Sequence, residues 1–536
     1  MEDLVYLKPN LVIELLFDRW YAWSHLISPA TSAMNIKNRH LKIINSYIQA
    51  PKIHAAAVKN PKMLGGPFMD FNGERVEDVK NLKAQTLENQ KDLLELADAL
   101  EELDVMLKNN CDGYSLDSLY DKVPEILRGY VELVYDLNNN PSYRIFEPLL
   151  YNSKFYKKSS QSIALWLTEN DERPFVLSTP RLENDGILHL GISVDNKAID
   201  ELSKMKRRAN SYATIKEKLN IPAEHEELFK SFFTTEPPVP YQHYDGDKVR
   251  MRYFGHACIL IETKGVSILV DPLISYYGYQ TDVDRFSDYD LPDVIDYVLI
   301  THNHQDHILY ETLLPLRHKI KHIVVPSTSS GSLQDPNLHN MFEVIGFDNV
   351  LEIKNMQSLS FNNCKITGIP FIGEHCDLNI QCKMCYHVKI GSFTILFVAD
   401  SCNVEPVLYN RIQEMVGDVD IICLGMECEG APLSWLYGPL MTDEPPRDLD
   451  RSRTLSGSNF PRAKNLVDAF NPKEAYVYAM GMEPWLEFIS SKRYQDHDHP
   501  IVESNKLVEY CKSKGIISER LYGEKELLRD CEVEIR

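Results

Sequence analysis

The chain is short of positive charge. Its 536 residues hold 57 lysines and arginines against 78 aspartates and glutamates, a formal charge of -21, which repels nucleic acid and anionic membrane surfaces at long range. No polynucleotide partner is expected. The start of the chain lacks an unbroken apolar segment, because Asp3, Lys8, Glu14 and Asp18 interrupt it; neither a secretory signal nor a membrane span is expected there, and the chain reads as cytoplasmic. A secreted disulfide framework is missing too: the 11 cysteines are odd in number and scattered, and Cys382-Lys383-Met384-Cys385 is a CxxC without a second pair. No internal repeat, low-complexity tract, or flavin, haem or iron-sulfur motif stands out.

What is present exceeds one domain. At this length, with 44% hydrophobic residues, two or three cored domains are expected. Val76 to Lys108 repeats leucine at three- and four-residue spacing amid charges, which predicts an amphipathic helix or helix pair. Ser162 to Leu167 and Gly186 to Val194 read as strands, so the first half is mixed α and β. Prolines crowd Thr234 to Tyr241 and mark a linker, dividing residues 1–245 from 246–536. Beyond it come short apolar runs, Ala257–Glu262, Ser267–Asp271, Tyr297–Ile300, His322–Pro326, Lys365–Pro370, Phe393–Asp400, Asp420–Gly425 and Ala475–Ala479. Several end in Asp, His, Glu or Gly, predicting an αβ sandwich with polar groups gathered at strand ends.

His302-Asn303-His304-Gln305-Asp306-His307 packs three imidazoles and a carboxylate into six residues after one such strand. A tight loop between strand and helix lets His302 and His304 face one ion while Asp306 and His307 reach a second. The HxHxDH loop resembles that of the metallo-β-lactamase fold superfamily over residues 248 to 500, together with Gly255-His256-Ala257-Cys258, the strand ending in Asp271, and Asp400 as the usual bridging aspartate. The resemblance implies an αββα sandwich, with Asp271 fixing the histidine loop by hydrogen bonds.

The departures narrow the reading. The third motif is Gly373-Glu374-His375, and the last core strand runs into Met480-Gly481-Met482-Glu483 with no histidine. A set rich in carboxylates suits iron better than zinc and leaves positions for dioxygen. This pattern, with a large N-terminal domain, is similar to the diiron β-hydroxylases of chloramphenicol biosynthesis. That resemblance implies one iron on His302, His304 and Glu374, another on Asp306 and His307, and Asp400 binding or bridging. His375 is the rival of Glu374, since adjacent strand residues point to opposite faces and only one would reach the cluster. Glu427 is implied to lie close to the metals as a catalytic residue. His256 is expected to be a hydrogen-bonded strand-start residue, and His497 and His499 to be loop residues.

The implied activity is O2-dependent β-hydroxylation of an amino acid tethered as a thioester to the phosphopantetheine arm of a nonribosomal peptide synthetase carrier domain. Electrons would come from an external donor, and the N-terminal domain would serve homodimerisation and substrate access. Tyr276, Tyr277, Tyr279, Trp435, Tyr437 and Trp485 could wall a channel or simply pack the core. Lys204 to Arg208 and Lys492-Arg493 could dock an acidic carrier, although a solvated charged face is the simpler account of each. The competing reading is a dizinc hydrolase of a thioester, lactone or phosphoester.

Overall fold

The computed structural model describes residues 4–328, 331–361 and 363–531. From Val249 onward the chain builds two seven-stranded sheets laid face to face. In the first, Ser267–Val270, Ile295–Leu299, Ile320–Pro326 and Val350–Ile353 run parallel, with antiparallel Cys258–Glu262 and Val249–Gly255 beyond and Lys525–Arg529 at the edge. In the second, Phe393–Ala399, Ile421–Gly425, Glu474–Tyr478 and Ile517–Arg520 are the parallel strands, flanked by the antiparallel Cys385–Ile390, Cys364–Ile369 and Ser358–Phe361.

Alternation along the strands sorts side chains between layers. Ile268, Val270, Leu299, Ile395 and Phe397 fill the space between the sheets. Leu396 and Val398, one residue out of step, pack under the helices Pro406–Val416, Phe460–Phe470 and His499–Ser513. Leu269, Val298 and Ile323 face the other way and join a core shared with Leu15, Trp20, Trp23, Leu96 and Leu100 of the N-terminal half. The N-terminal residues thus cover the first sheet, completing an αββα sandwich with a mixed α and β domain fused to its outer face. Strands buried on both sides are continuous apolar runs for this reason.

The N-terminal half centres on a sheet of Trp20–Tyr21, Leu11–Phe17, Gln161–Leu167 and Leu188–Leu190. The leucine-rich stretch is a helix pair, Val76–Asn89 and Lys91–Lys108, broken at Gln90. The strand expected over 186 to 194 shrinks to Leu188–Leu190, because Asn184 turns the chain before it, the Gly186 amide donating to Asn184 Oδ1 at 3.0 Å, and Asn196 caps a helix soon after. Glu14, Arg173, Arg181 and Glu311 form a buried charge network between the halves, and Glu311 lies on the helix Tyr310–Leu316 that follows the histidine loop.

Candidate metal centre

The C-terminal ends of parallel strands from both sheets converge on one spot, as crevices do at strand ends of α/β proteins. Strand Ser267–Val270 delivers Asp271, and Ile295–Leu299 leads into the loop 302–307. Phe393–Ala399 and Ile421–Gly425 deliver Asp400 and Glu427. Several residues here hold left-handed backbone: His256 at φ 51°, Asp271 at 38°, Glu374 at 66°, Ala399 at 49° and Ala479 at 54°. Such conformations cost roughly 1–3 kcal/mol each for residues with a Cβ, so the surroundings hold these turns in shape.

Asp271, fully buried, organises the loop. Its Oδ1 accepts from the Thr301 amide at 2.8 Å, and its Oδ2 accepts from the Thr301 hydroxyl at 2.5 Å and from His307 Nδ1 at 2.7 Å. A proton on His307 Nδ1 leaves Nε2 with a lone pair, and Nε2 stands 3.2 Å from Asp400 Oδ2. The Thr301 hydroxyl, already donating to Asp271, accepts from His302 Nδ1 at 3.0 Å. His302 Nε2 is thereby free to coordinate; it lies 3.1 Å from His304 Nδ1 and 3.8 Å from Asp400 Oδ2. Glu374 Oε1 is 3.4 Å from His304 Nδ1.

These atoms fall into overlapping groups whose members lie within 4.8 Å of one another: His302, His304, Glu374 and His375; His302, His307 and Asp400; His256, Asp306 and His307. Glu374 and His375 therefore both approach the cluster, correcting the expectation that only one could. They sit in a loop rather than a strand, Gly373 at φ 72° and Glu374 at 66° abolish the two-residue alternation, and His375 Nδ1 rests 2.8 Å from Glu374 Oε2. His256 Nδ1 accepts from the Gly481 amide at 3.2 Å, so its protonated Nε2 faces Asp306 Oδ2 at 3.3 Å. It orients that carboxylate, a role the sequence hinted at only through a Gly-His pair ending an apolar strand.

Electrostatics match a cation. Burial, reinforced by neighbouring imidazoles or by Lys383, holds His302 and His375 well below the ordinary imidazole range and His304 at about 4; neutral imidazoles are the coordinating form. Burial, with Asp400 and Asp306 nearby, pushes the Glu374 carboxyl up to about 8. Although burial opposes it, the hydrogen bond from His256, with His307 and His304 nearby, keeps Asp306 well below the usual carboxylate range. His304 Nε2, His375 Nε2 and Asp400 Oδ1 are buried without a hydrogen-bond partner, a cost of about 1–3 kcal/mol per group that a bound ion removes. The donors are imidazole and carboxylate only, which suits iron.

Around the cluster lies a cavity of about 530 Å³ lined by His304, Asp306, Glu374, Asp400 and Glu427 and walled by Phe68, Trp435 and Leu436. Glu427 is tethered within it: Lys492 Nζ donates to Oε1 at 3.2 Å and the Tyr494 hydroxyl donates to Oε2. Lys492 is therefore turned toward the cavity while staying half-buried, and sequence spacing marks neither it nor Tyr494 as a partner of Glu427. Of the expected channel aromatics only Trp435 lines this cavity, while Tyr276 donates to Glu311 at 2.6 Å elsewhere. His499 pairs with Glu429 at 3.0 Å and His497 is exposed, so neither joins the cluster. The CxxC segment braces the site: the Met384 amide donates to the Thr301 carbonyl at 2.6 Å, and Lys383 pairs with His302 as a β-bridge.

Comparison with known proteins gives a consistent result. Residues 6–237 match the family model of the diiron non-heme β-hydroxylase N-terminal domain, and residues 250–428 match that of the β-lactamase superfamily domain. The 4-amino-L-phenylalanyl-[CmlP-peptidyl-carrier-protein] 3-hydroxylase of Streptomyces venezuelae is 37% identical over 525 residues, covering 96% of this chain and 98% of that protein. The crystal structure of CmlA, a diiron β-hydroxylase from the same organism, superposes with a TM-score of 0.92 at 36% identity over 98% of this chain and 100% of the other. A variant of CmlA gives 0.90 over 98% and 99%.

Proposed function

The chain belongs to the CmlA-type diiron β-hydroxylases, and from that premise we propose which residues carry its reaction. It is a non-haem diiron monooxygenase that places a hydroxyl on the β-carbon of an amino acid held as a thioester on a carrier domain of a nonribosomal peptide synthetase. In this reading His302, His304 and Glu374 would hold one iron and Asp306 and His307 the other, with Asp400 as a further ligand. The carrying observation is the convergence of His302 Nε2 and His307 Nε2 on Asp400 Oδ2, at 3.8 and 3.2 Å. Two irons held there supply dioxygen activation, using electrons from an external donor.

The protein's own part follows from its contacts. Asp271 and Thr301 fix the tautomers of His307 and His302 so that both present Nε2. His375 Nδ1 stands 2.8 Å from the second oxygen of Glu374. Glu427, held by Lys492 and Tyr494, is the acidic wall of the reaction chamber and the group placed to accept or return a proton at Oε1 or Oε2. Phe68, Trp435 and Leu436 exclude bulk water and offer an apolar surface for the substrate side chain. The segment Met63 to Gly66, with Phe68 and Ser491, also lines a second cavity of about 490 Å³, which gives a tethered arm a way in. A homodimer and a cytoplasmic location complete the reading; no helix among the described residues is long and apolar enough to cross a membrane.

The test is mass spectrometry of a panel of aminoacyl-loaded carrier domains after incubation with iron-loaded enzyme, reductant and oxygen. A gain of one oxygen atom at the β-carbon is expected, and no gain across the panel refutes the reading. Glu374→Ala is expected to lower iron content more than His375→Ala; the reverse would transfer the ligand role to His375. The comparisons support an oxygenase and not the dizinc hydrolase.

A further inference from the structure

A separate cavity of about 230 Å³ lies where the N-terminal half meets the sandwich, between the end of helix Lys197–Lys204, the segment 288–294, and the helix Tyr310–Leu316 with its following turn Arg317–Lys319. It shares no lining residue with the metal cavity. Five lysines and arginines line it against three carboxylates, in a chain whose overall charge is -21.

The carboxylates are already engaged. Glu311 is held by Arg173 at 2.7 Å, Asp288 by Lys206 at 3.2 Å, and Asp293 faces Arg207 at 3.6 Å from a largely solvated position. Lys204 pairs with Glu201 at 2.6 Å. Lys206 and Arg207, far from forming a solvated charged face, have side chains only 11% and 12% exposed. Two cations remain: among the described residues neither Lys319 nor Arg208 makes a side-chain hydrogen bond or an ion pair. Beside them, His318 Nδ1 and Arg207 Nε are buried without a partner. Burial, assisted by the charge of Arg207, pushes the Lys319 amine down to about 7. A half-buried cation whose neighbouring carboxylates are engaged elsewhere is incompletely compensated, and an anion in the cavity relieves that cost.

We propose that this pocket binds a phosphoryl group, with Lys319 and Arg208 as its charged contacts. A dianion with tetrahedral acceptors satisfies several point donors at once, lysine acting as a point charge and arginine as a fork. At roughly 30 Å³ per water the cavity of about 230 Å³ equals about eight waters, room for a phosphoryl group and a short stem. The phosphoryl comes either free, as inorganic phosphate, or as the terminal phosphomonoester of a small soluble molecule, for which 4′-phosphopantetheine serves as probe. Lys319 is faced by Arg207 and Lys206, by Asp288 and Asp293, and by its neighbour His318; added negative charge favours its ammonium form, so binding at pH 8 takes up a proton.

The test is isothermal titration of the full-length protein at pH 8 with inorganic phosphate and with 4′-phosphopantetheine, in buffers of different ionisation enthalpy. Saturable binding of one phosphoryl group per chain with proton uptake is expected, at least tenfold weaker in Lys319→Met and in Arg208→Met and unchanged in the distant control Lys354→Met. Tighter binding of 4′-phosphopantetheine identifies a phosphomonoester as the source, and equal affinity identifies free phosphate; both uphold the site. Lys319→Met removes a poorly solvated amine and Arg208 is exposed, so both variants are expected to fold. Absence of saturable binding by either compound, or full affinity in both methionine variants, overturns the proposal. Iron content and hydroxylation are separate readouts, so this result and that of the catalytic reading are independent.

Discussion

Asp271→Asn tests the tautomer argument more sharply than loss of any ligand. Asp271 is surrounded by the Thr301 amide at 2.8 Å, the Thr301 hydroxyl at 2.5 Å and His307 Nδ1 at 2.7 Å. An asparagine can satisfy all of these in one orientation, with its carbonyl on the amide and its NH2 toward the hydroxyl and the imidazole. The NH2 then donates where a carboxylate accepted, so His307 must take its lone pair at Nδ1 and its proton at Nε2. The Thr301 hydroxyl, now an acceptor, turns its own proton toward His302 Nδ1 at 3.0 Å, and His302 is protonated at Nε2 as well. One nearly isosteric change thus withdraws two coordinating nitrogens without opening a cavity. Loss of such a hydrogen-bonding partner typically costs 10- to 100-fold in metal affinity, or about 1.4–2.8 kcal/mol. The expected outcome is a metal-free protein whose unfolding midpoint is close to that of the parent, with iron affinity at least tenfold lower and hydroxylation reduced accordingly. Iron titration followed by absorption, alongside thermal unfolding of the metal-free forms, measures both. Parental iron affinity in a correctly folded Asn variant would falsify the tautomer argument.

Three other substitutions probe separate links. A Cβ on Gly425 would stand 2.6 Å from Asp400 Oδ1 and 2.8 Å from the Ala399 carbonyl, so Gly425→Ala should displace Asp400 and lower iron occupancy and turnover together, as read by metal analysis and single-turnover assay. Arg173→Met leaves the buried Glu14 and Glu311 carboxylates facing each other with less compensation; a loss of about 3–5 kcal/mol in chemical denaturation is expected, and a change under 1 kcal/mol would show the network to be dispensable. Burial pushes the Glu147 carboxyl up to about 7 despite donors from Ser28 and the Asn337 amide. Its folded pKa exceeds its unfolded value of 4.5, so the protonated form favours the fold and this stability is lost as pH rises from 4.5 to 7. Glu147→Gln should therefore raise the unfolding free energy at pH 8, by up to about 3 kcal/mol, and change it little at pH 4.5, as chemical denaturation at the two pH values reads.

The part of the site that could be read from the sequence is the part held by neighbours in the chain. Six consecutive residues carry four of the proposed ligands, and Asp271 and Asp400 each end an apolar run, so strand and loop periodicity alone assign them to one end of the sandwich. Most strands buried on both faces were equally legible, but Val249–Gly255 and Cys385–Ile390 were not, their apolar runs being broken by Arg250, Arg252, His387 and Lys389. Lys525–Arg529 and Ser358–Phe361 were not, because edge strands need only one apolar face and their charged or polar residues read as loop. The supporting groups escaped for another reason. His256 meets Asp306, and Lys492 and Tyr494 meet Glu427, across 50 to 67 positions, where no local spacing rule operates; Lys492 in particular, beside Arg493, had every local mark of a surface charge. The third motif misled because a two-residue alternation was applied where the backbone turns left-handed at Gly373 and Glu374. That turn carries the largest consequence for chemistry. It sets a carboxylate and an imidazole against the same pair of histidines, so the ligand set is decided by backbone handedness at two residues rather than by the strand that precedes them. Restoring ordinary backbone there, as Gly373→Ala would favour at φ 72° with its Cβ 2.7 Å from that of Cys402, should disturb Glu374 and His375 together rather than either one alone.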